Sequence, residues 1–124
     1  MAVARRSFMS GGLALAMLGK AAIGAMPEGY GMLGKMKVKP GQRAALAAIL
    51  GEGIGAMPGC FSYIVAEDLA DADALWVIEM WDGKASHDAS LALPQVKDAI
   101  HRGRPLIAGF EPGAELRPLS GVGR

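Results

Sequence analysis

Along the body of the chain the spacing of apolar and polar residues changes period several times, and each change marks an element. Over Tyr30–Lys39 the lysines Lys35, Lys37 and Lys39 alternate with Met36 and Val38, the period-two pattern of a strand. Pro40-Gly41 breaks that pattern and opens a helix, with proline near the first turn where its missing N–H costs nothing. From Ala44 to Met57 the larger apolar residues Leu46, Ile49, Leu50, Ile54 and Met57 recur at helical spacing. Gly51, Gly53 and Gly55 each weaken a helix by up to about 1 kcal/mol relative to alanine. The end of this helix therefore either frays or packs closely on another backbone.

Pro58-Gly59 reads as a turn, and Cys60–Ala66, with its aromatic and β-branched residues, as a second strand. The aspartate-rich Glu67–Ala74 leads into Ala74–Asp82, an apolar run carrying both tryptophans. Alternation puts Leu75, Val77, Glu79 and Trp81 on one face of this run and Trp76, Ile78 and Met80 on the other. Both faces are mostly apolar, so both need a cover. Asp82 is placed to N-cap a short helix over Lys84–Leu91, and Pro94 restarts a helix that Gly103 ends. Gly103–Pro112 has no regular pattern, and Ala114–Leu119 reads as a last short strand with Pro118 near its end. The order β-α-β-β-α-β is that of a ferredoxin-like α+β domain with an antiparallel sheet over residues 30–119, followed by a tail at 120–124. The helices cover one face of the sheet. A second copy of the chain is the expected cover for the other, giving a dimeric α+β barrel.

Composition narrows the function classes. With 124 residues and 52% hydrophobic content the chain suits one globular domain. Its net charge of +1 comes from a basic N-terminus, since Arg5, Arg6 and Lys20 precede a body of 10 basic and 12 acidic residues. Such a body has no basic stripe for nucleic acid. The single cysteine, Cys60, excludes an intrachain disulfide and reads as a small buried residue rather than a nucleophile. Two histidines without HxH or HExxH spacing argue against a dedicated metal site. No apolar run is long enough for stable membrane insertion. Residues 1–25 differ in kind: Arg5-Arg6-Ser7-Phe8-Met9, an apolar run and small residues resemble a twin-arginine signal peptide. They are either such a signal, sending the protein to the periplasm or outside, or an N-terminal extension of a cytoplasmic protein starting at Met26 or Met32.

Candidate chemistry gathers between Trp76 and His87. His87, one turn into the short helix, is the foremost proton acceptor, histidine being the side chain whose ordinary pKa lies closest to neutrality. Glu79 on an apolar face must be paired or hold a raised pKa, as a base or as partner of an arginine such as Arg43 or Arg117. Trp81 and Trp76 point to opposite faces, one toward a ligand and one toward a dimer partner, and alternation alone does not say which. Tyr63 is placed to donate a hydrogen bond to a ligand oxygen or to pack at an interface. His101, Arg102 and Arg104 cluster at a helix C-terminus, where positive charge is favourable, and Arg104 is a candidate contact for an anionic ligand group.

The segments KVKPGQRAALAAIL, MPGCFSYIVAEDLADADALWVIEMWDGKASHDASLALP and RGRPLIAGF resemble the antibiotic biosynthesis monooxygenase domain family, in its quinol monooxygenase branch. The resemblance covers roughly Tyr30–Leu119. It implies a homodimer with one site per subunit between sheet and helices. It also implies oxygenation of a quinol, phenol or anthrone by O₂ without cofactor, neither metal nor flavin, with His87 as catalytic group and Trp81, Tyr63, Glu79, Trp76 and Arg104 around the substrate. Two other readings stand beside it: a non-catalytic small-molecule-binding dimer, and a haem-binding or haem-degrading relative. The haem-ligating histidine of those relatives aligns with Ile100 here, with His101 next to it.

Overall fold

The computed structural model describes residues 29–121, so the signal-like stretch 1–25 lies outside the described residues. The elements in chain order are β1 (Tyr30–Val38), α1 (Arg43–Gly53), β2 (Cys60–Glu67), β3 (Ala74–Trp81), α2 (Lys84–Ser90), α3 (Pro94–Gly103), a 3₁₀ turn (Arg104–Leu106) and β4 (Ile107–Leu116). The strands form one antiparallel sheet in the order β2-β3-β1-β4. This is the expected ferredoxin-like α+β fold.

Residues opposite each other in the ladder share a face of the sheet. Met32 faces Glu79, Gly34 faces Val77 and Met36 faces Leu75, while Tyr63 and Val65 pair with Glu79 and Val77 from the other side. This is the face on which the helices lie. Leu75 and Trp81 there are wholly buried, whereas Trp76, Ile78 and Met80 on the opposite face are only half-buried. Val38, Leu46 and Leu75 make the core, wrapped by Met36, Leu50, Val65, Leu106 and Ile107. The structure thus settles the orientation that alternation left open: Trp81 points toward the helices, and Trp76 away from them.

Helix α1 stops at Gly53, short of the predicted Met57, where Ile54 turns to an extended conformation (φ −79, ψ 116) amid the helix-weakening glycines. A methyl group on Gly53 would lie 2.8 Å from Ala99 Cβ of α3, so here glycine serves close packing. Asp82 does not cap α2. Gly83 is the N-cap residue and no side chain caps the helix; Asp82 lies one residue outside it, where its N–H donates to the Gly59 carbonyl at 2.8 Å. Gly59 holds this turn at φ +85, a conformation that favours glycine. A Cβ there would also lie 2.5 Å from Ser86 Oγ.

The last strand also differs from expectation. It runs Ile107–Leu116 through a stretch that reads as irregular, and it ends before Leu119. Gly109, Pro112 and Gly113 hide its alternation, and its pairing with β1 shifts register twice, between Leu33 and Lys35 and between Lys37 and Val38. An edge strand tolerates both proline and broken pairing. The aspartate-rich link between β2 and β3 is built from side-chain to backbone bonds. Asp68 accepts from the N–H groups of Ala70 (2.8 Å) and Asp71 (3.0 Å), and Asp71 accepts from that of Asp73 (2.9 Å). Arg43 donates to the carbonyls of Asp68 (3.0 Å) and Asp71 (2.8 Å) and pairs with Glu67 at 3.3 Å. Arg43 is therefore committed to this link and is not the partner of Glu79.

Candidate active site

The helices cover only part of their sheet face, and the uncovered part is a cleft. One cavity of about 560 Å³ is walled by Met32, Met36, Tyr63, Val77, Glu79 and Phe110. A second, also about 560 Å³, runs between sheet and helices past Leu46, Leu50, Ile100, Ile107 and Phe110, with Arg104 among its lining residues. A smaller one of about 100 Å³ lies beneath α2 and α3, where Glu79, His87, Ser90, Val96 and Ile100 meet. Tyr63 lines all three cavities. Glu79 lines the first and the third, and His87 only the third. The walls are mainly aliphatic and aromatic with a few polar groups, the usual make-up of a small-molecule site.

Each polar group has a definite setting. Trp81, two residues beyond Glu79 on the same face, donates its indole N–H to Glu79 Oε1 at 2.9 Å. His87 Nε2 lies 3.9 Å from the same oxygen. Glu79 Oε2 has no partner among the described residues, although the side chain is only 13% exposed. Burial raises the Glu79 pKa, against the opposing pull of the Trp81 hydrogen bond and the His87 ring. Among the described residues no arginine pairs with Glu79; the indole and imidazole, delivered by the strand and the following helix, stand beside the carboxylate instead.

The His87 ring is clamped. Trp81 meets it edge-on at 5.6 Å between centroids, Tyr30 lies at 5.5 Å, and Nδ1 is 3.0 Å from Asp88 Oδ1. Ser90 Oγ donates to the His87 carbonyl at 2.6 Å, fixing the helix turn that carries the ring. Burial, with Glu79 and Cys60 nearby, pushes the Tyr63 hydroxyl up to about 12. Tyr63 thus stays protonated near neutral pH and is available as a donor.

Of the residues singled out in the sequence, Tyr63, Glu79, Trp81 and His87 come together. Trp76 does not: on the far face it donates to Asp68 Oδ2 at 2.8 Å, with Lys35 Nζ 5.4 Å from its ring. Arg104 is exposed and contributes to the cleft away from the Glu79–His87 pair. His101 is exposed, and Arg102 is engaged with Glu52 and, at 3.0 Å, with Asp98. Ile100 lines the cleft at the position aligned with the haem ligand, and an aliphatic side chain has no lone pair to give a metal. Among the described residues no group of three or more His, Cys, Asp or Glu is placed to hold a metal ion. Sequence reasoning missed Met36, Leu50 and Phe110 as cleft walls, and missed Asp88. The only signal for Asp88 was its position next to His87.

The chain is thus a ferredoxin-like α+β domain with an apolar cleft between sheet and helices, beside which a buried carboxylate, an imidazole and a phenol come together. Residues 29–102 match the family described as antibiotic biosynthesis monooxygenase, and the chain belongs to that family. It is 56% identical to a candidate antibiotic biosynthesis monooxygenase of Chloroflexus aurantiacus J-10-fl, with a TM-score of 0.73 over 75% of this chain and 95% of that one. A candidate member from Caulobacter crescentus CB15 is 17% identical, with a TM-score of 0.67 over 76% and 92% of the two chains. A Pseudomonas aeruginosa protein is 20% identical, with a TM-score of 0.67 over 77% and 99%. The last two likenesses concern the fold alone. No curated protein matches the chain. Among the described residues no helix is long and apolar enough to cross a membrane.

Proposed function

We propose that this protein is a homodimeric monooxygenase that oxidises a quinol, phenol or anthrone-type aromatic with O₂, using protein groups alone. The observation that carries this reading is Glu79: a buried carboxylate with a raised pKa and one unpartnered oxygen, lining an apolar cleft beside His87 and Tyr63. A carboxylate so placed is a base for an acidic O–H or activated C–H. Removing that proton leaves an electron-rich arene anion, which can itself reduce O₂. For an anthrone the balance closes as one methylene plus O₂ giving one ketone plus water, with one oxygen atom retained. Protonated Tyr63 donates a hydrogen bond to the developing oxyanion, and the aliphatic walls exclude bulk water.

The far face of the sheet supports the dimer. Ile64 is 50% exposed there, beside the half-buried Trp76, Ile78 and Met80. In this reading a second copy covers that apolar surface, and Trp76 belongs to the subunit interface rather than to the substrate.

The test is oxygen uptake by purified, metal-free protein with a hydroquinone, a naphthoquinol and an anthrone. Uptake above the uncatalysed rate that is lost in His87→Ala and Glu79→Gln is the expected result. Tight ligand binding with no uptake favours the non-catalytic binding protein instead.

A further inference from the structure

Deprotonation by Glu79 leaves the substrate's proton inside the cleft, where it can return to the arene anion before O₂ reacts. We propose that His87 and Asp88 relay this proton from Glu79 to solvent, an inference that rests on the oxygenase reading and makes both relay groups positioning residues.

The groups stand in line from inside to outside. Glu79 Oε1 lies 3.9 Å from His87 Nε2, and His87 Nδ1 lies 3.0 Å from Asp88 Oδ1. Side-chain exposure is 13% at Glu79 and 12% at His87, then 54% at Asp88, so the chain of groups ends in water. Only Glu79 of the three lines the first of the two 560 Å³ cavities, and His87 stands behind it at the small inner one.

Hydrogen-bond polarity sets the direction. Asp88, held below the usual carboxylate range by its bonds to His87 and Lys84, is ionised and only accepts. It therefore holds the neutral imidazole with its proton on Nδ1, leaving the Nε2 lone pair toward Glu79. Trp81, by donating to Glu79 Oε1 at 2.9 Å, fixes that oxygen on the histidine side. A protonated Glu79 hands its proton to Nε2 across a short side-chain rotation or one bridging water. The imidazolium then releases its Nδ1 proton through Asp88 to solvent. Each step moves one proton and no electrons. This outward leg leaves His87 in its Nε2–H form. When the second oxygen atom leaves as water it takes one proton back by the same path, from solvent through Asp88 to Nδ1 and from Nε2 to Glu79. The Nδ1–H form is thereby restored, and no net proton is released over a turnover.

The other groups around the ring are compatible with this path. From α2, Lys84 reaches Asp88 at 3.2 Å and sits 5.7 Å over the Tyr30 ring. From β1, the Tyr30 hydroxyl donates a hydrogen bond to Glu115 Oε2 of β4 at 2.7 Å, and burial and that bond push its pKa up to about 12, so it stays neutral. Among the described residues the carboxylates paired with the His87 ring are Glu79 and Asp88.

The experiment reads the imidazole directly by long-range ¹H–¹⁵N NMR in a His101→Gln background, which leaves His87 as the chain's one histidine. The expected neutral form carries its proton on Nδ1, and Asp88→Ala moves population to the Nε2–H form. A wild-type Nε2–H form overturns the relay, whatever the turnover. In weak buffer, oxygen uptake with saturating 1,4-dihydroxynaphthalene should fall about tenfold in Asp88→Ala with KM unchanged, and return as imidazole is added. Unchanged uptake in Asp88→Ala without added base overturns the relay. A wild-type protein that takes up no oxygen overturns the oxygenase reading instead, and the tautomer alone then decides whether Asp88 orients His87 toward Glu79.

Discussion

Replacing Gly53 by alanine tests whether α1 and α3 meet as closely as described, and the cleft depends on that contact because Gly53 and Ala99 both line its inner cavity. The added methyl would lie 2.8 Å from Ala99 Cβ, against about 3.5–4.0 Å for a comfortable carbon–carbon contact. Ala99 Cβ has no rotamer through which to move away, so the helices must shift. Overpacking of this kind costs about 1–3 kcal/mol. The better helix propensity of alanine returns at most about 1 kcal/mol, and less at a helix end. The expected net loss is about 1–2 kcal/mol, and each kcal/mol lowers Tm by roughly 4–8 °C in a domain of this size. Gly51, on the exposed side of the same helix, has open space around it. Gly51→Ala should therefore stabilise by up to about 1 kcal/mol. Urea unfolding of both variants at one fixed protein concentration, with Gly53→Ala/Ala99→Gly as a rescue, measures the difference. A Gly53→Ala protein as stable as Gly51→Ala refutes the close approach and the cavity shape that follows from it.

Three shorter predictions follow from other groups. Asp68 is held down to about 2 by hydrogen bonds from Trp76 and the Ala70 N–H, so the stability it supplies is complete above its ordinary pKa of 3.8. That stability disappears as pH falls toward 2; Asp68→Asn should lower Tm by a few degrees at pH 6 and show little of the wild-type drop between pH 4 and 2 in thermal melts. Tyr63→Phe keeps the cleft's shape but removes its donor, and on the proposed mechanism kcat for a naphthoquinol should fall about 10²-fold with little change in KM; equal loss in both parameters would point to a binding role only. Ile64→Glu places a charge on the apolar far face; sedimentation should show a dimer for wild-type protein and monomer for the variant, and a monomeric wild type would exclude the dimer.

Much of the fold was legible because β1 alternates lysines with apolar residues, β2 is rich in aromatic and β-branched residues, β3 is a sustained apolar run, and Pro40-Gly41 and Pro58-Gly59 mark turns. The last strand was not, since Gly109, Pro112 and Gly113 interrupt its pattern and its register on β1 slips twice. Asp82 looked like a cap, but the helix begins one residue later with Gly83 at the N-cap, a boundary shift of one residue that sequence does not announce. For the site, alternation correctly put Glu79 and Trp81 on one face. Charge logic offered a raised pKa or an arginine partner for the carboxylate and overlooked the indole two residues away. Arg43 was instead taken up by the carbonyls of the aspartate-rich link. The cleft walls on α1, α3 and β4 come from residues far apart in sequence, so only the packing of the elements brings Leu50, Ile100 and Phe110 around Tyr63.

The central claim is that the Tyr63–Glu79–His87 cleft inserts oxygen, and an ¹⁸O₂ experiment with an anthrone tests it most directly. The account predicts one ¹⁸O atom in the ketone product, formed above background by wild-type protein and lost in Glu79→Gln and His87→Ala. Product without ¹⁸O, or labelled product formed equally well by both variants, would contradict it.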